Sequence, residues 1–482
     1  MIEQAIYGYV QQQIANADAW IEGWTKDVNG KALPSRFMMV KMRQYSADYM
    51  TGKNTRRWVI IPGLRGVGKS TLLAQYYKHV QDTYGTDVNL LRISLHDVVN
   101  VMGGTLKQAI EQYELIIGGS LERLEKPTFL FLDEVQEDEN WGKILFSLHE
   151  RTRKLFIVCS GSSAIYLKKD ANMVRRAHFE PLYPLNYCEY QMLRFNVMPE
   201  VGLKNSLKEA VFLSRDASQA HRRLIRLLPS IRAYQAKIDV STFTHFMYTG
   251  SLPFLINETN PAQVYNDIIS LIERIINEDL AKGYNFDSTS LNAVKPLLFM
   301  LADGDVISRS KLAAALSQYG IKDPRLVGQL LDALVRTELL IEVPSRGTVT
   351  IAVSKPKKYL FMSPAIRATF HQIAGLAATD ETRKGRLLED LVGLYMYREF
   401  TTRRLADFTY NAGEGHADFM LQTKAGARIA IEVGLGRKTS KQVANTMRDV
   451  KCDYGIVLSA TSLRVDKTSN ILFLPLSIFY MV

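Results

Sequence analysis

The stretch GLRGVGKST, residues 63–71, places Gly63, Gly66 and Gly68 ahead of Lys69, Ser70 and Thr71. Glycine lets a backbone curl until several N–H groups converge, which is what the oxygens of a phosphate require. The spacing Gly63-x-x-x-x-Gly68-Lys69-Ser70 is that of a phosphate-binding P-loop. There Lys69 reaches the β- and γ-phosphates, Ser70 offers its hydroxyl to Mg2+, and a helix opening at Lys69 adds its positive dipole end. Gly63, Gly66, Gly68, Lys69, Ser70 and Thr71 are therefore expected to bind nucleotide. Further on, TFLFLDE ends an apolar run in Asp133 and Glu134. Asp133 is expected to hold Mg2+ opposite Ser70, and Glu134 to polarise a water for attack on the γ-phosphate. The guanine-reading run Asn-Lys-x-Asp does not occur, so the expected nucleotide is ATP.

Two later stretches carry further candidates. LFIVCSGSSA ends in hydroxyls, and Ser160 stands where a polar sensor contacts the γ-phosphate or the attacking water, with Ser162 and Ser163 as second choices. A cluster of helix N-caps is the competing reading. In MVRRAHFEPLYPL, Arg175 and Arg176 precede another strand-like run. An arginine there either reaches a neighbouring subunit's nucleotide to offset transition-state charge, or belongs to a solvated basic face.

These residues need a scaffold that delivers them to one edge. From Arg57 the pattern alternates: RWVIIP, the P-loop helix, VNLLRISL, a helix around 105–118, TFLFLDE, a helix around 140–150, and LFIVCSG. Short β-rich runs separated by helices predict a parallel sheet with crossovers. The boundaries that follow are an N-terminal helical segment at 1–33, the ATPase core at 34–190, a helical, basic region at 191–285, a third region at 286–372 and a last one at 373–482. The basic region includes AHRRLIRLLPSIRAYQAK, and the third ends in a β-ribbon pattern. The terminal ILFLPLSIFYMV is too short to span a bilayer and reads as a buried strand.

Together GLRGVGKST, FLFLDEVQ…W, CSGSS, RRAHFEPLYPLNYCEY, YTGSLPFLI and KPKKYLFMSP resemble the bacterial and archaeal AAA-superfamily ATPases that have an uncharacterised C-terminal domain. The likeness runs from about 35 to 460. It implies an α/β fold: an AAA+/ASCE P-loop ATPase core with a parallel sheet, a helical lid, a winged helix, and a C-terminal restriction-endonuclease-like domain of degenerate PD-(D/E)xK type. The adjacent Glu134 marks the subclass with an extra strand between the P-loop and Asp133 strands. In the winged-helix region Asp323 is the expected N-cap and Pro324 the first helical residue of the second helix. Arg325, Arg336, Arg346, Lys355, Lys357 and Lys358 are its candidate phosphate contacts, although winged helices in ATPases also serve as lids or protein contacts. In the last region Glu389, Asp418 and Glu432 match the metal-gathering carboxylates of the nuclease pattern, a possible second metal site. The lysine position holds Gly434, which puts cleavage in doubt unless Lys438 or Lys441 substitutes.

The 482 residues are 47% hydrophobic and 23% charged, with a net charge of +11. That excess favours a polyanionic partner, nucleic acid before membrane, and the winged helix that the resemblance implies would make it duplex DNA bound with low sequence specificity. Three scattered cysteines and no visible signal peptide fit the cytoplasm. The expected protein is a cytoplasmic, homo-oligomeric ATPase that couples ATP binding and hydrolysis, with Mg2+, to switching or assembly on DNA. An ATP-gated nuclease of a defence or mobile-element system and a non-hydrolysing ATP-bound scaffold for a protein partner are the alternatives.

Overall fold

The computed structural model describes residues 2–482 apart from 54–55, 162–174, 285, 305, 348–354, 374, 376–380, 412–414, 425, 436–439 and 460–461. The chain forms two compact units, Met1–Tyr183 and Pro184–Val482.

In the first unit the apolar runs become strands β1 (Trp58–Pro62), β2 (Asn89–Ser94), β3 (Thr128–Asp133), β4 (Leu155–Gly161) and β5 (His178–Phe179). Every residue of β1, β3 and β4 is buried, as expected of parallel strands covered on both faces. The sheet is parallel throughout, in the order β2-β3-β4-β1-β5, so β4 is inserted between the P-loop strand and the acidic strand. The covering helices are α1 (Ile2–Ala15), α2 (Ala17–Thr25), α3 (Met38–Met50), α4 (Lys69–Tyr84), α5 (Leu106–Ile116) and α6 (Trp141–Arg151). A capping box at Thr105 and Gln108 starts α5. The N-terminal helices share this core. Ile6, Tyr9 and Val10 of α1 are buried in it, the Tyr9 hydroxyl accepts from Ser94 N at 2.8 Å, and Trp20 of α2 meets the Tyr77 ring edge-on.

The second unit begins with helices α7 (Tyr187–Phe195), α8 (Leu203–Phe212), α9 (Ala217–Gln235) and α10 (Pro261–Arg274). Next come α11 (Val294–Asp303), α12 (Arg309–Leu316), α13 (Pro324–Arg336) and an antiparallel pair, β6 (Leu340–Val343) and β7 (Lys358–Phe361). Helix α13 starts as its residues dictate: Asp323 accepts from Arg325 N, and Pro324 occupies the first turn, where a missing N–H costs nothing. Helices α14 (Pro364–Ile373) and α15 (Glu381–Met396) lead into a six-stranded mixed sheet, ordered β12-β13-β11-β10-β9-β8. Its strands are β8 (Ala406–Thr409), β9 (Phe419–Thr423), β10 (Arg428–Val433), β11 (Tyr454–Ser459), β12 (Arg464–Asp466) and β13 (Ile471–Pro475). Helix α16 (Lys441–Val450) makes the crossover from β10 to parallel β11. It packs so closely that a Cβ on Gly455 would lie 2.1 Å from Val443 Cγ1. The terminal apolar run is strand only to Pro475; residues 476–479 form a helical turn. Proline has no N–H to extend a ladder, and its fixed φ favours the turn that follows.

At the centre of this unit the wholly buried Arg367 forks onto Asp390, with contacts of 2.6 and 2.9 Å. It also donates to Leu301 O and Ala302 O, while Asp390 accepts from Phe361 N. The three cysteines are free thiols, and burial pushes Cys159 up to about 12. No helix among the described residues is long and apolar enough to cross a membrane.

Candidate nucleotide site

The tips of β1, β4 and β3 bring the first set of residues together. The β1–β4 register sets Ile61 beside Ser160 and Pro62 beside Gly161, and the β3–β4 register sets Leu132 beside Cys159. Ser160, a strand residue rather than an N-cap, is thus level with both the start of the P-loop and Asp133. Its Oγ donates to Asp133 Oδ1, which also accepts from Glu134 N at 3.1 Å.

The loop itself curls at Gly66 (φ 79°) and Gly68 (φ 89°), conformations that other side chains resist. Gly63 is required for a different reason: a Cβ there would lie 2.3 Å from Leu182 O, where the chain leaving β5 runs alongside the loop. Lys69 is buried at the first turn of α4, and its Nζ donates to Gly63 O at 2.9 Å and Leu64 O at 3.0 Å. Its ammonium therefore reaches back over the loop. Ser70 and Thr71 follow it, half-buried. A loop curled at two left-handed glycines, a helix N-terminus and a lysine folded over the loop suit a chain of phosphates.

Glu134 takes a left-handed backbone (φ 54°, ψ 46°), rare outside glycine, which turns the chain sharply at the end of β3. Gln136 Nε2 donates to its Oε2. Two residues here escape motif reading. Gln136 is one, and the other is Arg36, buried, whose Nη1 donates to Val67 O of the loop at 2.8 Å. Nothing in the sequence around Arg36 marks it; only the fold brings it to the loop.

Other candidates are placed differently. Arg176 pairs within its own chain with Glu150, at 2.7 Å, and lies over the Phe146 ring. Arg175 is exposed. Ser162, Ser163 and Lys438 lie outside the described residues.

In the second unit, Asp418 immediately precedes Phe419 and Glu432 immediately follows Ile431, the two residues of the last rung of the β9–β10 ladder. Asp418 accepts from Val433 N at 2.7 Å, and Glu432 is buried. Glu389 on α15 does not complete a metal site with them. It pairs with Lys358, whose ammonium also sits 4.7 Å from the centre of the Phe419 ring. Among the described residues no three His, Cys, Asp or Glu side chains gather to hold a metal. The same pairing corrects Lys358 as a surface phosphate contact, because it is buried, while Lys357 pairs with Glu342 at 2.7 Å. Gly434 continues the ladder through a bond from its N to Leu458 O, and Lys441 is exposed at the start of α16.

The model of the family described as "AAA domain" matches residues 55–191, the segment that holds the P-loop and β3. The uncharacterized protein MJ1637 of Methanocaldococcus jannaschii is 32% identical over 430 residues, covering 89% of this chain and 85% of its own. An uncharacterized protein of Haemophilus influenzae is 26% identical over 154 residues, 32% of this chain and 37% of its own. Among solved structures, the Aeropyrum pernix ORC1 protein in complex with DNA aligns over 74% of this chain and 98% of its own, at 11% identity and a TM-score of 0.32. The Thermotoga maritima RuvB Holliday junction branch migration motor aligns over 67% and 94%, at 16% identity and a TM-score of 0.26. Alike to it across most of both chains, this protein belongs to the family that includes M. jannaschii MJ1637, and its residues 55–191 match the AAA domain.

Proposed function

We propose that this protein is an ATPase that couples ATP binding and hydrolysis to switching or assembly on DNA. One observation carries the reading: Ser160 Oγ donates to Asp133 directly beside the P-loop strand, with Glu134 following at the same strand tip. In this reading the N–H groups from Gly66 to Lys69 hold the phosphates, and the Lys69 ammonium moves from its loop carbonyls onto the β/γ oxygens. Ser70 and Asp133 would hold Mg2+, which when bound draws charge from those oxygens. Ser160 fixes the Asp133 carboxylate, and Glu134, steadied by Gln136, takes the proton of the attacking water. Arg36 keeps the loop curled by holding Val67 O. In a homo-oligomer the exposed Arg175 would complete the neighbouring copy's site.

We read α12, α13 and the β6–β7 ribbon as a winged helix, supported by their order and by the caps on α13. Its exposed face offers Arg325, Gln329, Asp332 and Arg336, a mixture poorly suited to reading bases. The six-stranded sheet we read as an endonuclease-like domain that no longer cuts. Gly434 supplies no cation, and Glu389 is engaged by Lys358.

Calorimetric titration with ATP and Mg2+ tests the nucleotide reading. The unmodified protein should bind, and Lys69→Ala should abolish binding, because the phosphates lose the P-loop cation. Unchanged affinity in that variant contradicts it.

A further inference from the structure

Helix α9 contains four arginines and no acidic residue over its 19 positions. Ala220, Leu224, Ile231 and Tyr234 are its buried side, packed toward α8 and the β12–β13 edge. The N-terminus is pinned by Asn470 Oδ1, which accepts from Ala217 N at 3.0 Å, and the C-terminal turn by Gln235 Nε2, which donates to Ser477 O at 3.1 Å. At about 100° per residue, Arg222 and Arg226 fall opposite the buried side with Arg232 on its flank, and Lys237 follows in the turn after the helix. All four are exposed, and none is in an ion pair with a described residue. On the edge strand beside the helix, β12 and its turn add exposed Arg464 and Lys467; the Arg464 guanidinium lies 3.4 Å from the Phe473 ring centre.

We propose that this face, built by α9 and β12, is where the protein holds the phosphate backbone of duplex DNA. The proposal rests on the DNA reading above and relocates the contact. Two of the four ribbon cations expected to touch phosphate are neutralised within the chain, Lys357 by Glu342 and the buried Lys358 by Glu389. By contrast, Arg222, Arg226 and Arg232 on α9 have no acidic partner among the described residues. From Arg222 to Arg232 it extends roughly 15 Å, at about 1.5 Å per residue. Duplex DNA offers about one phosphate charge per 1.7 Å over such a length. Arginine suits this task because its planar fork grips two phosphate oxygens at once. The side chains present no set of base-reading amides, so the contact is indifferent to sequence.

The test is fluorescence anisotropy of a labelled duplex oligonucleotide with the full chain over a range of salt concentrations. Compared are the unmodified protein, R222E/R226E/R232E, and a ribbon variant, R346E/K355E. The α9 variant should bind about 10²-fold more weakly at 0.1 M salt, with a salt slope shallower by about 3, since each phosphate contact contributes about 0.9 to that slope. The ribbon variant should lose far less. Unchanged ATP hydrolysis without DNA, and an unchanged melting temperature, identify the α9 variant as folded. If the reversal variant melts early, R226Q alone serves, and should lower affinity several-fold and the slope by about 1. Normal DNA binding by the α9 variants overturns the assignment of the face while leaving the DNA reading standing. No duplex binding by the unmodified protein at low salt overturns both. Tighter binding to phosphatidylserine vesicles than to duplex, lost in the α9 variant, overturns the choice of DNA as occupant.

Discussion

Asp133 reaches the end of β3 with one carboxylate oxygen already accepting two hydrogen bonds, from Ser160 Oγ and from Glu134 N. Such bonds fix which way the other oxygen points, and groups that orient a metal ligand typically contribute about 10–100-fold to metal affinity or activity. Ser160→Ala is therefore expected to lower the rate of phosphate release at saturating ATP by about 10-fold, with ATP affinity nearly unchanged. A stopped-flow phosphate assay beside a calorimetric titration checks both numbers. The P-loop glycines, Lys69, Asp133 and Ser160 were legible in the sequence because their spacing is dictated by backbone shape and strand length, which a short stretch contains in full. Arg36 and Gln136 were not. Each reaches its partner through geometry that no local pattern encodes, a crossing from residue 36 to Val67 in one case and the left-handed turn at Glu134 in the other.

Elements of the second unit are locked by buried charge rather than by apolar packing alone. Arg367 and Asp390 join α14 to α15, and the arginine's other donors tie both to the end of α11. Removing one member of such a pair leaves a buried charge uncompensated, at about 3–5 kcal/mol. Arg367→Ala should accordingly destabilise this unit by about that amount in urea denaturation, whereas ATP affinity should hold. A second lock surrounds Glu399, in the turn 397–401. Burial alone would raise its carboxyl, but Lys204, Arg398, Arg403 and Lys208 together hold it down to about 2. A carboxyl depressed in the folded state stabilises above its unfolded value and loses that contribution as pH falls. Stability should thus decline between about pH 5 and pH 2, by about 2–3 kcal/mol from this group. Glu399→Gln should flatten that part of a melting-temperature profile. Strands and most helices were legible as apolar periodicity. The ion pairs were not, because Lys358, Glu389 and Glu399 look like solvated charges until the fold buries them. The last apolar run is a buried strand as expected over Ile471–Pro475, and only Pro475 signals the helical turn that ends it.

Across the whole molecule, the net charge of +11 is unevenly distributed, with acidic partners for Lys357 and Lys358 and, among the described residues, none for the exposed arginines of α9. The two arginines ahead of β5 also part company, since Arg176 is committed to Glu150 and Arg175 is exposed. If copies complete one another's sites, Arg175→Ala should depress hydrolysis at least 10-fold without altering the melting temperature. Arg176→Ala should act mainly on stability, by about 1 kcal/mol or less. Mixing Arg175→Ala with Lys69→Ala should restore part of the activity, and sedimentation with ATP should show an assembled species. The most direct test of the account is steady-state phosphate release by Glu134→Gln, measured beside its ATP affinity. The account predicts retained affinity and turnover lower by about 10²-fold or more, the loss of a positioned general base. Turnover equal to that of the unmodified protein would contradict it.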